Sequence, residues 1–505
     1  MYGLYPQRTT WVSSAKIQVM RRLATIVWLS SLLALASCSP FSAGAFTCTD
    51  DSQCDLAGGI CQPTGFCSFV DASCASGQRY GENSGDLSGI CVGEEDQQDC
   101  TPGELRCFDR SIGTCNNAGS GFDLVECDFT CSAGACVAAS NIDDAGLAVC
   151  AAASAALEPP DGATITFAPG PEIQCAPHCG TQGVDTITPD QVTAQTGGPD
   201  AALFCLTALE LGSGVTVTPI SAAIAEVLIM FVDGRATIDT AVSVGGGAGS
   251  DQTAGIGGPG AGPGGDFSGG NGNPGLGDCP GLSGVRAGST SDFGPGGGGG
   301  GGMIAAGGTG GDGLNPSGND IGAGGVGGGT CGAATLTPLV AGSGGAGGPD
   351  GTCGAECGWP GGGGGGAIQI SSRLSISIGA TGSFDASGGA GEGFLVGTES
   401  GGGGGGGGSG GAILLEAPVI SIDGSLSIAG GAGGPAAAGP GGVGGDGSAT
   451  LVGAVGSSQD QAGEGGAGGG GGAGRVRINA TDTVGLCDLA GVPAMACTAG
   501  ALLAL

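Results

Sequence analysis

From Ala163 onward, apolar residues recur at every second position in short runs. Thr164-Ile165-Thr166-Phe167, Val215-Thr216-Val217-Thr218 and Ala236-Thr237-Ile238-Asp239 are examples, with Gly, Pro or Asp between them. A period of two sends successive side chains to opposite faces of an extended chain, so these runs predict β-strands rather than helices. Val227 to Val232 (VLIMFV) is apolar throughout and predicts a core strand. The runs also repeat. Thr237-Ile238-Asp239-Thr240-Ala241-Val242-Ser243-Val244, followed by GGGAG, matches Ser421 to Ile428, followed by AGGAG. Gly366-Ala367-Ile368-Gln369-Ile370 matches Gly411-Ala412-Ile413-Leu414-Leu415 at a step of 45, and Ser383-Phe384-Asp385 matches Ser425-Leu426-Ser427 at a step of 42. A partial copy follows at Arg475-Val476-Arg477-Ile478-Asn479-Ala480.

Recurrence on this scale signals stacked units that share one core, since a single copy buries too little to fold alone. In the copy at 367–389, Ile368, Ile370, Leu374, Ile376, Ile378 and Phe384 are expected to point inward. Over roughly residues 160–245 and 366–480 the pattern resembles the right-handed parallel β-helix of the pectin-lyase-like class. Between the copies lie Gly-rich insertions at about 245–366, 389–411 and 430–474, with runs such as Gly296 to Gly302 and Gly401 to Gly408. Glycine has no side chain to bury and the most backbone entropy to lose. The insertions are therefore expected to be mobile loops, and the alternative, extended glycine strands packed on one another, has the entropy against it.

Residues 48–136 hold twelve cysteines in two groups, Cys48, Cys54, Cys61, Cys67, Cys74 and Cys91, then Cys100, Cys107, Cys115, Cys127, Cys131 and Cys136. Few large apolar residues accompany them, so disulfides must supply the stability, and spacing leaves the pairing open. Zinc at Cys127, Cys131 and Cys136 is the competing reading. It lacks a C-x2-C pair and a nearby histidine. Cys150, Cys175, Cys179 and Cys205 are further disulfide candidates. So are Cys279, Cys331, Cys353 and Cys357, whose presence suggests that part of the longest insertion is stapled. Cys487 and Cys497 are expected to close the C-terminal end. The expected fold is all-β: disulfide-rich modules at 48–91 and 100–136, then a right-handed parallel β-helix-like solenoid with long Gly-rich loops at 160–505.

Near the N-terminus, Arg21-Arg22 precedes an apolar run from Leu23 to Ala36, too short and too interrupted to span a bilayer. It closes on Leu35-Ala36-Ser37-Cys38, which resembles the lipobox of bacterial lipoproteins. The resemblance implies a signal peptide at 1–37 (its true start at Met20), lipid on Cys38 and a tether at 38–47. Ser39, rather than Asp, implies release to the outer membrane or cell surface. Of 23 cysteines, lipid on Cys38 leaves an even 22, which fits full pairing in an oxidising compartment. The whole layout resembles the uncharacterised Cys-rich, Gly-rich surface lipoproteins of certain soil bacteria.

The chain carries 45 acidic and 12 basic residues. Arg8, Lys16, Arg21 and Arg22 belong to the leader, so the mature form has no lysine and a net charge near −37. Such a surface repels phosphate backbones, so nucleic acid is excluded as a partner. The membrane, through the Cys38 lipid, and surface glycans or other envelope proteins remain. His178, the one histidine, sits in Cys175-Ala176-Pro177-His178-Cys179, which lacks the haem-attachment order. Gly407-x-Ser409-x-Gly411 has the letters of a nucleophile elbow without its strand–turn–helix setting. Asp239 and Asp423 occupy equivalent repeat positions and read as solvated turn residues. Arg235, Arg286, Arg373, Arg475 and Arg477 are scattered, unlike the clustered basic residues of β-helix polysaccharide lyases. Gly441 to Gly447 approaches the nonapeptide of calcium-binding β-rolls, which makes Asp446 a candidate calcium ligand, although Ser448 stands at the aliphatic position. No other cofactor is expected. These residues predict a non-enzymatic surface-anchored lipoprotein with a structural or adhesive role. The alternative is a polysaccharide lyase or hydrolase on a β-helix scaffold.

Overall fold

A computed structural model describes residues 47–504 except 55–57, 75, 85–86, 93–99, 109–110, 118–120, 133, 169, 181–182, 219, 221, 268–269, 287–293, 315–320, 352–357, 394–400, 437–450, 459–464, 482–486, 488–495 and 501. Cys38 with its leader, Cys353, Cys357 and Asp446 lie outside the described residues. The fold is almost all β, with many disulfides. Two compact units are present, one holding residues up to 104 and 115–123, the other 105–114 and 124–505.

In the first unit, strands Ile60–Cys61, Cys67–Val70 and Gln78–Tyr80 form an antiparallel sheet. Its core is Cys48, Cys54 and Cys67, and it is crossed by the bridges Cys48–Cys61, Cys54–Cys67, Cys74–Cys91 and Cys100–Cys115. Asp71 accepts from the backbone N–H of Ser73 at 2.8 Å, its hydroxyl at 2.6 Å and Arg79 Nε at 2.6 Å. Those donors, the Ser73 hydroxyl first and Arg79 next, hold the Asp71 carboxyl well below the usual carboxylate range. A depressed folded value contributes stability above the unfolded value, and the contribution disappears as pH falls through the folded one. Acid titration of the denaturation midpoint should therefore show a loss below about pH 4 that Asp71→Asn reduces. Identical acid profiles for the two proteins would refute this role.

The second unit is built on nine parallel strands in one curled sheet. Its registers reproduce the sequence repeats. Ala367–Ser372 pairs with Ala412–Glu416 as Ala367↔Ala412 through Ser371↔Glu416, and Ala412–Glu416 pairs with Arg475–Asn479. Ile238, Ile378 and Ile422 stand side by side across three strands, as do Val242, Phe384 and Leu426 in a separate three-stranded sheet. The strand Ala201–Leu211 serves two rows at once. Its first half pairs with Val227–Val232 and its last three residues with Ala236 to Ile238. Ile368, Ile370, Ile376, Ile378 and Phe384 are buried in the inner core. Leu374 is not. It is 48% exposed at the corner after Ser372, where its N–H bonds the Ser372 hydroxyl, so the period of two breaks there.

Val227–Val232 is buried at all six positions because the outer face of the sheet is covered as well. Leu203, Ile229, Phe231 and Leu414 pack there against Phe129, Ile142, Leu147 and Leu339. The Cys150–Cys205 bridge joins the short helix Asp144–Cys150 to the sheet, and Cys107–Cys131 and Cys127–Cys136 staple the segment that leads into it. Arg373, only 8% exposed, ion-pairs with Asp233 at 2.8 Å, donates to the Asp128 carbonyl and lies over Phe231.

The described glycine tracts are not loops projecting from this sheet. Successive residues of 297–302 donate in three directions that repeat every third residue. Gly297 and Gly300 donate to Gly311 and Gly308, Gly298 and Gly301 to Gly404 and Gly407, and Gly299 and Gly302 to Leu282 and Cys279. The same tract accepts from Gly325 and Gly328, from Gly469 and Gly472, and from Ala346. These six neighbours also bond to one another in a closed ring, which is hexagonal packing. Three residues per turn with every bond lateral is the geometry of the left-handed polyproline II helix. The lattice admits glycine because its chains touch backbone to backbone: a Cβ on Gly300 would lie 2.0 Å from the Gly470 carbonyl oxygen. The entropy cost is met by pairing N–H and C=O groups that a loop would leave to water.

Candidate functional site

Three places in the second unit concentrate polar or unusual surface. The first is Glu416, fully buried on the outer face of the sheet. It accepts from the Ser140 N–H (2.9 Å) and hydroxyl (2.6 Å), the Ser371 hydroxyl (2.9 Å), Asn479 Nδ2 (2.8 Å) and Gln369 Nε2 (3.2 Å). Strand alternation sets Gln369, Ser371, Glu416 and Asn479 on one face, and pairing brings them together. With five donors and no water-facing edge, this carboxylate holds residues 139–142 on the sheet; it has no open side for a substrate.

The second is a groove of about 560 Å³ between residues 193–196, Thr337 and Pro338, floored by Leu203 and Ile229. Its amides are occupied by the walls. Asn141 donates to the Leu336 carbonyl and Gln369, Gln195 binds both backbone groups of Leu339, and Asp143 caps the helix.

The third is a side of the glycine lattice. Gly453 and Gly456 donate to the Ala306 and Thr309 carbonyls, and Gly307 and Gly310 to those of Gly328 and Gly325. The tracts 452–458 and 306–312 both also bond the tract 467–473. Hexagonal packing therefore sets 452–458, 306–312 and 323–329 in a straight row. Each shows solvent one residue per turn, repeating at about 9 Å: Val452, Val455 and Ser458, then Thr309 and Asp312, then Ala323, Val326 and Gly329. Val455 is 67% exposed and Val326 59%. Asp312 is the one charged residue of the three tracts, on a chain of net charge −33.

The residues singled out in the sequence do not converge. Cys175 and Cys179 bridge each other beside His178, and Cys487 bridges Cys497. Cys279 and Cys331 carry free thiols. Ser409, fully buried, accepts from the Ser343 N–H inside the lattice and is no exposed nucleophile. Asp239 and Asp423 sit at strand ends and bond back through their N–H groups to Leu211 and Ile378. Arg286 pairs with Asp350 at 2.8 Å, where burial raises the Asp350 carboxyl against the pull of the guanidinium. Among the described residues, the cluster with metal-ligand composition is Cys48, Cys54 and Cys67, whose sulfurs are already spent in disulfides. No described helix is long and apolar enough to cross a membrane. No family model, curated protein or solved structure matches this chain.

Proposed function

We propose that this is a non-enzymatic, surface-anchored lipoprotein with a structural or adhesive role in the cell envelope, tethered by lipid on Cys38. Its parallel coil is read as a right-handed β-helix-like solenoid that carries the glycine lattice outward. The observation that carries the reading is the row of three glycine helices. It is a rigid, straight, nearly uncharged side on a strongly acidic protein. Small side chains in a fixed repeat suit an extended neutral surface, and an insoluble neutral glycan is the partner we assign to it. The disulfides support an extracytoplasmic home.

Two measurements test this. Mass spectrometry of the mature N-terminus should find an acylated Cys38, and an unmodified thiol there would remove the anchor. Purified protein should sediment with an insoluble neutral polysaccharide. The pair Val326→Asp and Val455→Asp should weaken that binding at least roughly tenfold, equivalent to about 1.4 kcal/mol, with the melting temperature unchanged. Undiminished binding by the double variant would remove the lattice face as the adhesive surface.

A further inference from the structure

Cys279 and Cys331 are the free cysteines among the described residues. They arrive from different tracts and meet at the same end of the central glycine helix. The Cys279 carbonyl accepts from the Gly302 N–H at 2.8 Å, and the Cys331 N–H donates to the Met303 carbonyl at 2.6 Å. The Cys331 sulfur reaches the Gly302 carbonyl at 3.8 Å and is within hydrogen-bonding reach of the Cys279 thiol. The Cys279 backbone is further fixed by the Ser343 hydroxyl, which accepts from its N–H at 2.9 Å. Two neighbouring thiols on backbones pinned by a lattice have their placement set before any bond forms.

We propose that Cys279 and Cys331 are the two halves of a further disulfide, a staple that locks two glycine tracts together at the end of the central glycine helix once the folded chain meets a disulfide oxidant. This inference rests on the extracytoplasmic reading for the oxidant, but not for the geometry. The exchange runs in two steps. The Cys279 sulfur, its proton lost to solvent, attacks one sulfur of the oxidant, whose other sulfur leaves as a thiolate and is protonated. The Cys331 sulfur then attacks the Cys279 sulfur of this mixed disulfide, and its proton passes to the departing oxidant sulfur, which leaves as the second thiol. Two protein thiols are oxidised and one disulfide is reduced to two thiols. Burial, reinforced by the Cys279 thiol, raises the Cys331 thiol, so Cys331 holds its proton and serves as the resolving rather than the attacking group.

The test uses the full-length folded protein, first reduced without denaturant and then exposed to oxidised glutathione. Remaining thiols are blocked with N-ethylmaleimide and the protein is cut with an Asp-specific protease without reduction. A cross-linked peptide pair containing Cys279 and Cys331, lighter by two hydrogens than its separate parts, is the expected product. Cys331→Ser should stop at a Cys279–glutathione adduct, and Cys279→Ser should leave Cys331 unreacted over the same period. Recovery of both cysteines alkylated, or of separate glutathione adducts on each in the parent protein, would overturn the proposal. Protein taken from cells with this pair reduced, yet bridged by glutathione in the tube, would uphold the staple and sink the extracytoplasmic reading instead.

Discussion

Gly407→Ala should unfold the second unit under conditions where the parent is folded, whereas Gly329→Ala should be tolerated. The two substitutions add the same methyl group to the same kind of tract. At Gly407 the new Cβ would stand 2.1 Å from the Gly431 carbonyl oxygen and 2.8 Å from that of Ala432. No rotamer relieves this contact, because the obstacle is backbone. Gly431 cannot retreat without breaking its own bonds, since its N–H donates to Gly408 and its carbonyl accepts from Gly471. Overpacking a core costs about 1–3 kcal/mol when side chains can shift. Here whole helices would have to separate, so a loss of roughly 3 kcal/mol or more is expected from the same mechanism. At Gly329 nothing lies within 4 Å of the added carbon, and the residue is exposed. Alanine there removes freedom from the unfolded chain and should stabilise by about 0.4–1 kcal/mol. Denaturant unfolding followed by circular dichroism separates the two cases. Comparable midpoints for the two variants would mean that the tracts are not packed as a lattice.

The coil was legible in the sequence because it obeys local rules. The steps of 45 and 42 between copies are the registers that the strands adopt, Ile368 against Ile413 and Phe384 against Leu426. A period of two fails only where a corner intervenes, as at Leu374. The glycine tracts depart from the sequence expectation for a physical reason. The entropy cost falls on each residue alone, while the compensating bonds run sideways to tracts far away in the chain. A signal was nevertheless present. Ala306-Gly-Gly-Thr309-Gly-Gly-Asp312 and Ala323-Gly-Gly-Val326 place a side chain at every third residue, and of these Thr309, Asp312, Ala323 and Val326 face solvent. A period of three with glycine at the crowded positions is the mark of packed polyproline II chains. The coverage of the outer sheet face was not legible, because Phe129, Ile142 and Leu147 reach it from a segment with no repeat of its own. Pairing of the cysteines was equally hidden, since nothing local distinguishes Cys107–Cys131 from its alternatives.

The same non-local coverage makes Glu416 the second sensitive position. Alternation along Ala412–Glu416 assigns its side chain to the outer face, which in an uncovered sheet would be solvent. Covered by residues 139–142, the carboxylate becomes the common acceptor for this one covering segment and the two neighbouring strands. Glu416→Ala removes the acceptor and leaves the Ser140 N–H, the Ser140 hydroxyl and the Asn479 amide buried without it. The Gln369 amide can still donate to the Ser371 hydroxyl at 2.9 Å, but the Ser371 O–H, which donates to Glu416, loses its acceptor as well. Each buried donor left unpaired costs about 1–3 kcal/mol, so stranding several of them places the expected loss at roughly 3 kcal/mol or more. Glu416→Gln keeps the shape and one acceptor oxygen but turns an amide N–H2 toward groups that also donate. A smaller loss of about 1–3 kcal/mol should result. The order parent, glutamine, alanine in the denaturation midpoint is the first check. Hydrogen exchange at the Ser140 N–H is the second and more specific one. Its protection should fall in both variants, while the amides of Val227–Val232 should lose protection only as far as global stability drops. Unchanged exchange at Ser140 in the alanine variant would mean that apolar contacts alone, those of Ile142 and Leu147 with the sheet, hold this segment in place.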